Sequence, residues 1–297
     1  MISILIPVYN WDVSTLILQL EEQCSRLEVP YEIIVIDDCS DDKFLQKNEK
    51  IGVGIKVQYE ILDNNIGRAA IRNHLAKKAT FDWLLFLDSD GHIIDDQFIS
   101  KYIEVISSNN CKVVCGGRSY QMDKPDQRFL LHWRYGRRRE AISAVQRSIN
   151  PDWYTHTSNL LVAEDIWQDI TMDETISSYG YEDIVWGQRV SAQGYDILHI
   201  DNPILHVGLK SNLAFIEDVK SSVNNLVRLH QKGSIRGTRL LRAYYWLSTS
   251  KLLPVFVFVM RRLRQSQEST LMRGSGSLIA LDALKLYYLA LAIEKVN

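Results

Sequence analysis

The stretch Asp82–His92, DWLLFLDSDGH, decides how this chain is read. Trp83, Leu84, Leu85, Phe86 and Leu87 form a short, unbroken apolar run bounded by polar residues. Such a run predicts a strand buried on both faces. Asp88, Ser89, Asp90 and Gly91 follow at once. Two carboxylates at i and i+2, where a buried strand meets solvent, repel each other unless a cation or hydrogen-bond donors compensate. Hard oxygen ligands of this kind suit Mg²⁺ or Mn²⁺, which also bridge the oxygens of a diphosphate. The plainer alternative is an Asp-rich turn in which Gly91 supplies a positive φ.

Outward from this stretch, strand and helix patterns alternate. Ile2–Val8 predicts a first strand ended by Pro7, with Tyr9, Asn10 and Trp11 in the loop after it. Asp12 or Ser14 can cap a helix through Leu16, Leu20 and Cys24. Tyr31–Ile36 predicts a second strand, running into Asp37 and Asp38, and Val57–Leu62 a third. Gly67–Lys78 reads as a helix, and Lys112–Cys115 as another strand. The alternation predicts an α/β fold, a parallel sheet with helices on both faces. Ligands of such folds bind at the carboxyl ends of the strands, where Tyr9, Asp37, Asp38, Asp88 and Asp90 all fall.

Composition sets bounds. The 297 residues are 46% hydrophobic and 24% charged, ordinary for a folded chain with a sizeable core. A net charge of −2 gives no global pull towards nucleic acid. Cys24, Cys39, Cys111 and Cys115 form no CxxC pair, which predicts buried free thiols in a reducing compartment. MISILIPVYN has no basic n-region, so a cytoplasmic chain is expected. No GxGxxG follows the first strand, no GxxxxGK[ST] occurs, and Gly52 and Gly54 in IGVGIK are too isolated to count.

Five blocks taken together resemble the family 2 glycosyltransferases of GT-A fold: ISILIPVYN, EIIVIDDCSDD, NNIGRAAIRNHLA, LFLDSD and YGYEDIVWGQRV. The resemblance covers roughly residues 1 to 210 and departs at Cys39, where the family usually has Gly. It implies a mixed, mainly parallel sheet in a domain over 1–211, with a helical C-terminal region over 212–297. It further implies a nucleotide-sugar site built on Pro7, Tyr9, Asp38, Arg68, Arg72 and Asp88. In that site Tyr9 stacks on the base, Asp38 accepts the uracil imide N–H, and Arg68 and Arg72 face the diphosphate from one helix face. Asp37 holds its loop. Asp90 and His206 (in PILHVGL) are the implied ligands of Mn²⁺ or Mg²⁺. Asp183 is the implied general base of an inverting transfer, with Glu182, Tyr181, Trp186 and Asn159 on the acceptor side and Trp153 a further stacking surface.

The activity implied is transfer from a nucleotide-sugar donor, a UDP-sugar, to the hydroxyl of a glycan or lipid-linked acceptor, in surface polysaccharide assembly. A sugar-nucleotide nucleotidyltransferase would need a Gly-rich basic loop after the first strand, and PVYNWD is not one. A catalytically inactive glycan-binding or scaffold subunit is the alternative from another class. The retained Asp88, Asp90 and Asp183 set argues against it.

Two basic stretches stand apart. Asp123–Asn150 lacks clear periodicity and contains RYGRRRE, a candidate loop to close over the diphosphate or meet an acceptor's phosphate, with solvated arginines on a surface helix as the default. Beyond Asn212, arginines and lysines flank Tyr244, Tyr245, Trp246 and LLPVFVFVM, a run too short to cross a bilayer. That mixture suits a peripheral helix on the cytoplasmic face of an anionic membrane. The last helix, Ser277–Lys295, fits packing on another helix equally well.

Overall fold

The computed structural model describes residues 1–51, 56–108, 111–176 and 179–294. Gly52, Gly54 and Lys295 lie outside them. The chain forms two compact units, each discontinuous in sequence. The first comprises Met1–Gln121, Ala141–Ser177 and Glu182–Gly208. The second comprises Met122–Glu140, Ser178–Tyr181 and Leu209–Asn297.

Ten strands are found in the first unit among the described residues: β1 (Ile2–Val8), β2 (Tyr31–Asp37), β3 (Val57–Ile61), β4 (Trp83–Leu87), β5 (Gly91–His92), β6 (Val113–Cys115), β7 (Arg118–Ser119), β8 (Asn159–Ala163), β9 (Leu198–His199) and β10 (Ile204–His206). Seven make one sheet in the order β3-β2-β1-β4-β8-β6-β9, and β5-β10-β7 make a small second sheet. Pairing in the large sheet is parallel except on the two sides of β8, which runs antiparallel to β4 and β6. The α/β expectation therefore holds, with a mixed, mainly parallel sheet.

The apolar runs are continuous because both faces of the sheet are covered. Ile4, Ile6, Ile33, Val35, Leu85 and Leu87 pack with Leu16 and Leu20 of helix Ser14–Arg26 and with Phe98 and Tyr102 of helix Phe98–Ser108. Their neighbours Leu5, Ile34, Ile36, Leu84 and Phe86 pack on the other side, with Ile71 and Leu75 of helix Arg68–Lys78 and with Trp167, Trp186 and Val190. The period of two along each strand sends alternate residues to opposite cores.

Several expectations are corrected. The expected bounds of β1, Ile2–Val8, hold, but Pro7 lies inside the strand, paired in register with Ile36, one residue before its end. Gly91 adopts no left-handed φ but sits in β5, where a Cβ would come within 3.0 Å of Ile204 Cγ1 and 3.1 Å of the Asp88 carbonyl. The turn before it is real, with Gly91 N donating to the Asp88 carbonyl at 3.0 Å, but the glycine is small because strands meet there, not to supply a positive φ. Cys24 and Cys115 are buried, and burial raises their thiols to about 12, but Cys39 is exposed and Cys111 half-buried.

The second unit is helical. Leu131, Phe215, Val219, Met260, Leu271, Leu284 and Tyr287 form its core, drawn from helices Leu130–Tyr135, Asn212–Gln231, Leu253–Met272 and Leu278–Glu294. Buried Asn212 ties them: it accepts from Leu131 N (2.9 Å) and donates to the carbonyls of Gln127 and Met272 (2.9 and 3.0 Å). The RYGRRRE stretch is ordered rather than aperiodic, a helix followed by a π-helical turn over Gly136–Glu140. Its arginines hold this unit's own parts: Arg137 stacks on Trp133 at 5.0 Å, and Arg139 pairs with Asp282 at 2.8 Å. Among the described residues no single helix is long and apolar enough to cross a membrane; Arg239–Thr249 and Leu253–Met272, bent by 116°, meet the length and composition of a span only as a pair.

Candidate functional site

At the carboxyl end of β4 the first unit joins its acidic and basic groups into a closed ring. Asp88 Oδ1 accepts from Arg72 Nη2 at 2.5 Å, and Arg72 Nη1 donates to the Arg68 carbonyl at 2.9 Å. Arg68 Nε donates to Glu182 Oε1 at 2.7 Å. The next residue, Asp183, accepts from Thr157 Oγ1 at 2.7 Å, and the neighbouring Ser158 carbonyl accepts from Asp88 N at 3.3 Å. Helix Arg68–Lys78, helix Glu182–Ala192 and the entry to β8 are thereby fixed around one strand end.

The charges in the ring are unequal. Burial pushes the Asp88 carboxyl up, but Arg72 above all, with Arg68, Arg118 and His206, overrides this and holds it down at about 2. Arg118, on β7, lies 3.6 Å from Asp88 Oδ2. It carried no sequence signal, because a two-residue strand leaves no periodicity to read.

Asp90 belongs to the small sheet. His206 pairs in register with Gly91, which brings its Nδ1 to 3.2 Å from Asp90 Oδ1. Val207 N donates to the Asp90 carbonyl at 3.0 Å, and a Cβ on Gly208 would fall 2.8 Å from Asp90 Cβ. Among the described residues no three His, Cys, Asp or Glu side chains converge as a ready-made metal cage. A carboxylate beside an imidazole, with a glycine against it, does fit a divalent cation that takes its remaining ligands from water and phosphate.

The other expected residues divide into those near the strand ends and those turned inward. Tyr9 is 56% exposed on the loop after β1. Asp38 is buried, and its two carboxylate oxygens accept from Ile66 N (2.7 Å) and Gly67 N (3.1 Å). Burial raises its pKa, partly offset by those two donors. It therefore shapes the turn into helix Arg68–Lys78, whatever else its lone pairs accept. Asp37 is tied to Ser40 N at 2.7 Å and to the Tyr59 hydroxyl at 3.0 Å, a loop-holding role.

Arg72 is 2% exposed, so it does not share an open face with Arg68; it neutralises Asp88 instead of presenting itself to a diphosphate. Glu182, 6% exposed, spends one oxygen on Arg68 and keeps the other buried, which removes it as an open acceptor contact. Asn159 is also buried, accepting from Tyr102 OH at 2.6 Å and donating to the carbonyls of Gly117 (2.9 Å) and Asn202 (2.8 Å). Trp186 packs on Trp167 with ring centres 5.1 Å apart and donates to the Ile170 carbonyl at 2.5 Å. Neither reaches an acceptor. Trp153 is half-buried in a 3-10 turn, Pro151–Tyr154. Tyr181 belongs to the second unit, where burial raises its phenol.

This arrangement, strand-end carboxylates on a mainly parallel sheet, is accompanied by direct similarity. The model of the family described as glycosyl transferase family 2 matches residues 3–159, just over half of the 297 residues. The chain belongs to glycosyltransferase family 2.

It is 32% identical over 111 residues to an uncharacterized glycosyltransferase of Haemophilus influenzae, covering 37% of this chain and 35% of that one. It is 33% identical over 95 residues to the poly(ribitol-phosphate) beta-N-acetylglucosaminyltransferase TarS of Staphylococcus aureus, covering 31% of this chain and 16% of TarS. These matches thus span about a third and a sixth of the two relatives.

Among solved structures, the mannosyltransferase PcManGT of Pyrobaculum calidifontis, in complex with GDP-Man and Mn²⁺, superposes with a TM-score of 0.58 at 12% identity, over 99% of this chain and 86% of that one. The S. aureus TarS 1–349 structure superposes with a TM-score of 0.51 at 16% identity, over 100% and 92%. At these identities the likeness is one of fold.

Proposed function

We propose that this chain is a metal-assisted, inverting glycosyltransferase. It takes its sugar from a UDP-sugar and delivers it to the hydroxyl of a glycan or lipid-linked acceptor, in surface polysaccharide assembly. The observation that carries this reading is the ring that draws Asp183 and Asp88, distant in sequence, to one strand end. Asp183, held by Thr157 and partly exposed, is the base: it takes the acceptor proton as the hydroxyl oxygen bonds to the anomeric carbon. The bond from that carbon to the nucleoside diphosphate breaks in the same displacement, and the diphosphate leaves with the electron pair.

Asp90 and His206 would hold Mn²⁺ or Mg²⁺, which when bound neutralises charge on the leaving diphosphate. The mannosyltransferase of like fold holds a nucleotide-diphosphate sugar together with Mn²⁺, and that pairing supports the metal here. Tyr9, exposed beside the Asp38 turn, supplies a face for the base.

Calorimetric titration of UDP, GDP and CDP, each with and without Mn²⁺, tests the donor and the metal together. UDP is expected to bind best and to need Mn²⁺. Asp183→Asn should keep that binding and lose transfer by about 10²–10⁴-fold. Turnover retained in Asp183→Asn would remove Asp183 as the base. Mn²⁺-dependent binding of no nucleotide would favour the inactive scaffold subunit instead.

A further inference from the structure

Residues 232–264 carry eight Lys and Arg and no Asp or Glu, so the chain's net −2 is +8 here and −10 elsewhere. Within this segment, helices Arg239–Thr249 and Leu253–Met272 meet at a 116° bend whose corner residue, Lys251, has a φ of 59°. The second helix is apolar on two faces. Phe256, Val257 and Met260 face the second unit's core, whereas Val255, Phe258, Val259 and Leu263 are 60%, 58%, 44% and 45% exposed.

The exposed set recurs at helical spacing, so it forms one stripe. Tyr245 and Trp246 are also exposed, 47% and 63%. Arg261 and Arg262 border the stripe, with the Arg262 guanidinium 3.7 Å from the centre of the Phe258 ring.

We infer that this bent pair is a docking surface for an anionic lipid bilayer. An exposed apolar stripe costs free energy in water unless something covers it. The charge pattern selects the occupant: long basic side chains beside aromatic and aliphatic ones let the apolar stripe enter the acyl boundary while the cations meet lipid phosphates. The geometry selects lying on the membrane over crossing it. Helix Arg239–Thr249 has 11 residues, and helix Leu253–Met272 becomes charged directly after Met260. A partner protein of acidic surface would match the charge but has no need of so long a bare aliphatic stripe, and a second copy would bring +8 against +8.

The inference does not depend on the catalytic reading, because its test is binding rather than transfer. The full chain is mixed with phosphatidylcholine–phosphatidylglycerol vesicles or with phosphatidylcholine alone, at low and high salt, and sedimented. It should co-sediment with the anionic vesicles and be released by salt or by the neutral lipid. Arg261→Gln with Arg262→Gln should weaken binding by about 25-fold, about fivefold per charge. Trp246→Ser with Phe258→Ser should weaken it comparably while the circular dichroism melt stays unchanged, since both side chains are exposed. Failure to bind anionic vesicles, or binding by both variants as tight as that of the wild type, would overturn the inference. So would a wild-type dimer in light scattering that Phe258→Ser dissociates, because the stripe would then be covered by a second copy.

Discussion

Asp88 and Asp90 are two residues apart in one motif, yet they answer to different sheets. Asp88 closes the large sheet: it is clasped by the buried Arg72, approached by Arg118 and tied through its own N–H to Ser158. Asp90 hangs from the small sheet, with an imidazole at 3.2 Å and a glycine where a side chain would crowd it. One carboxylate has its charge met by the protein. The other has an imidazole beside it and a glycine against it. Identical residue types thus become an internal anchor and a candidate ligand, and the difference is made by the partners each sheet delivers.

The largest expected effect breaks the anchor. Arg72→Met leaves the mostly buried Asp88 without its nearest cation, and removing one partner of a buried pair costs about 3–5 kcal/mol. Urea unfolding of the variant should show that loss, and Arg72→Met with Asp88→Asn should recover part of it. A variant within 1 kcal/mol of wild type, about the worth of a surface pair, would mean that the remaining neighbours, Arg68 and Arg118 first, can hold Asp88.

The second effect is a dependence on pH that belongs to Asp88. Its folded pKa of about 2 lies below the ordinary 3.8, so the folded state favours the ionised form. The resulting stability, about 2 kcal/mol by linkage, is fully present above the unfolded value and is lost as pH falls from about 4 through about 2. Asp88→Asn should flatten that acid limb of the stability curve. An equally steep limb in Asp88→Asn would place the titrating group elsewhere.

These contrasts explain what was and was not legible in the sequence. Five of the seven strands of the large sheet (β1, β2, β3, β4 and β6) were readable as short apolar runs, whereas β8 and the two-residue β9 were not. Asp38, Asp88 and Asp183 were readable as polar groups at strand or helix ends. Direction was not. Asn159 stands opposite Leu87 in the antiparallel β4–β8 pairing, and that register places its amide under Tyr102 rather than at the rim. Arg72 and Arg68 are four apart on one helix, but Asp88 lies beneath one and Glu182 beside the other. Trp186 had aromatic bulk suited to a sugar or a core, and Trp167 and Phe86 decide for the core. Cys39 shows the converse: its φ of 65° explains why a glycine is usual at that position.

The smallest effect sharpens the Asp90 side of the comparison. Gly208→Ala puts a methyl against the Asp90 carboxyl, which lies beside His206, and the short side chain must shift to make room. The three atoms nearest to the new methyl all belong to Asp90. The anchor should therefore survive, with acid unfolding like that of the wild type. If Asp90 and His206 hold the cation, the gain in nucleotide affinity on adding Mn²⁺ should fall by about 10–100-fold, the usual consequence of misorienting a ligand. Nucleotide binding measured without Mn²⁺ should stay as it was. Were both titrations unchanged, the pair would be a structural contact between β5 and β10, and the cation would have to be sought at Asp88. Were binding lost with and without Mn²⁺ alike, the glycine would serve the backbone path into Leu209 and not the carboxylate.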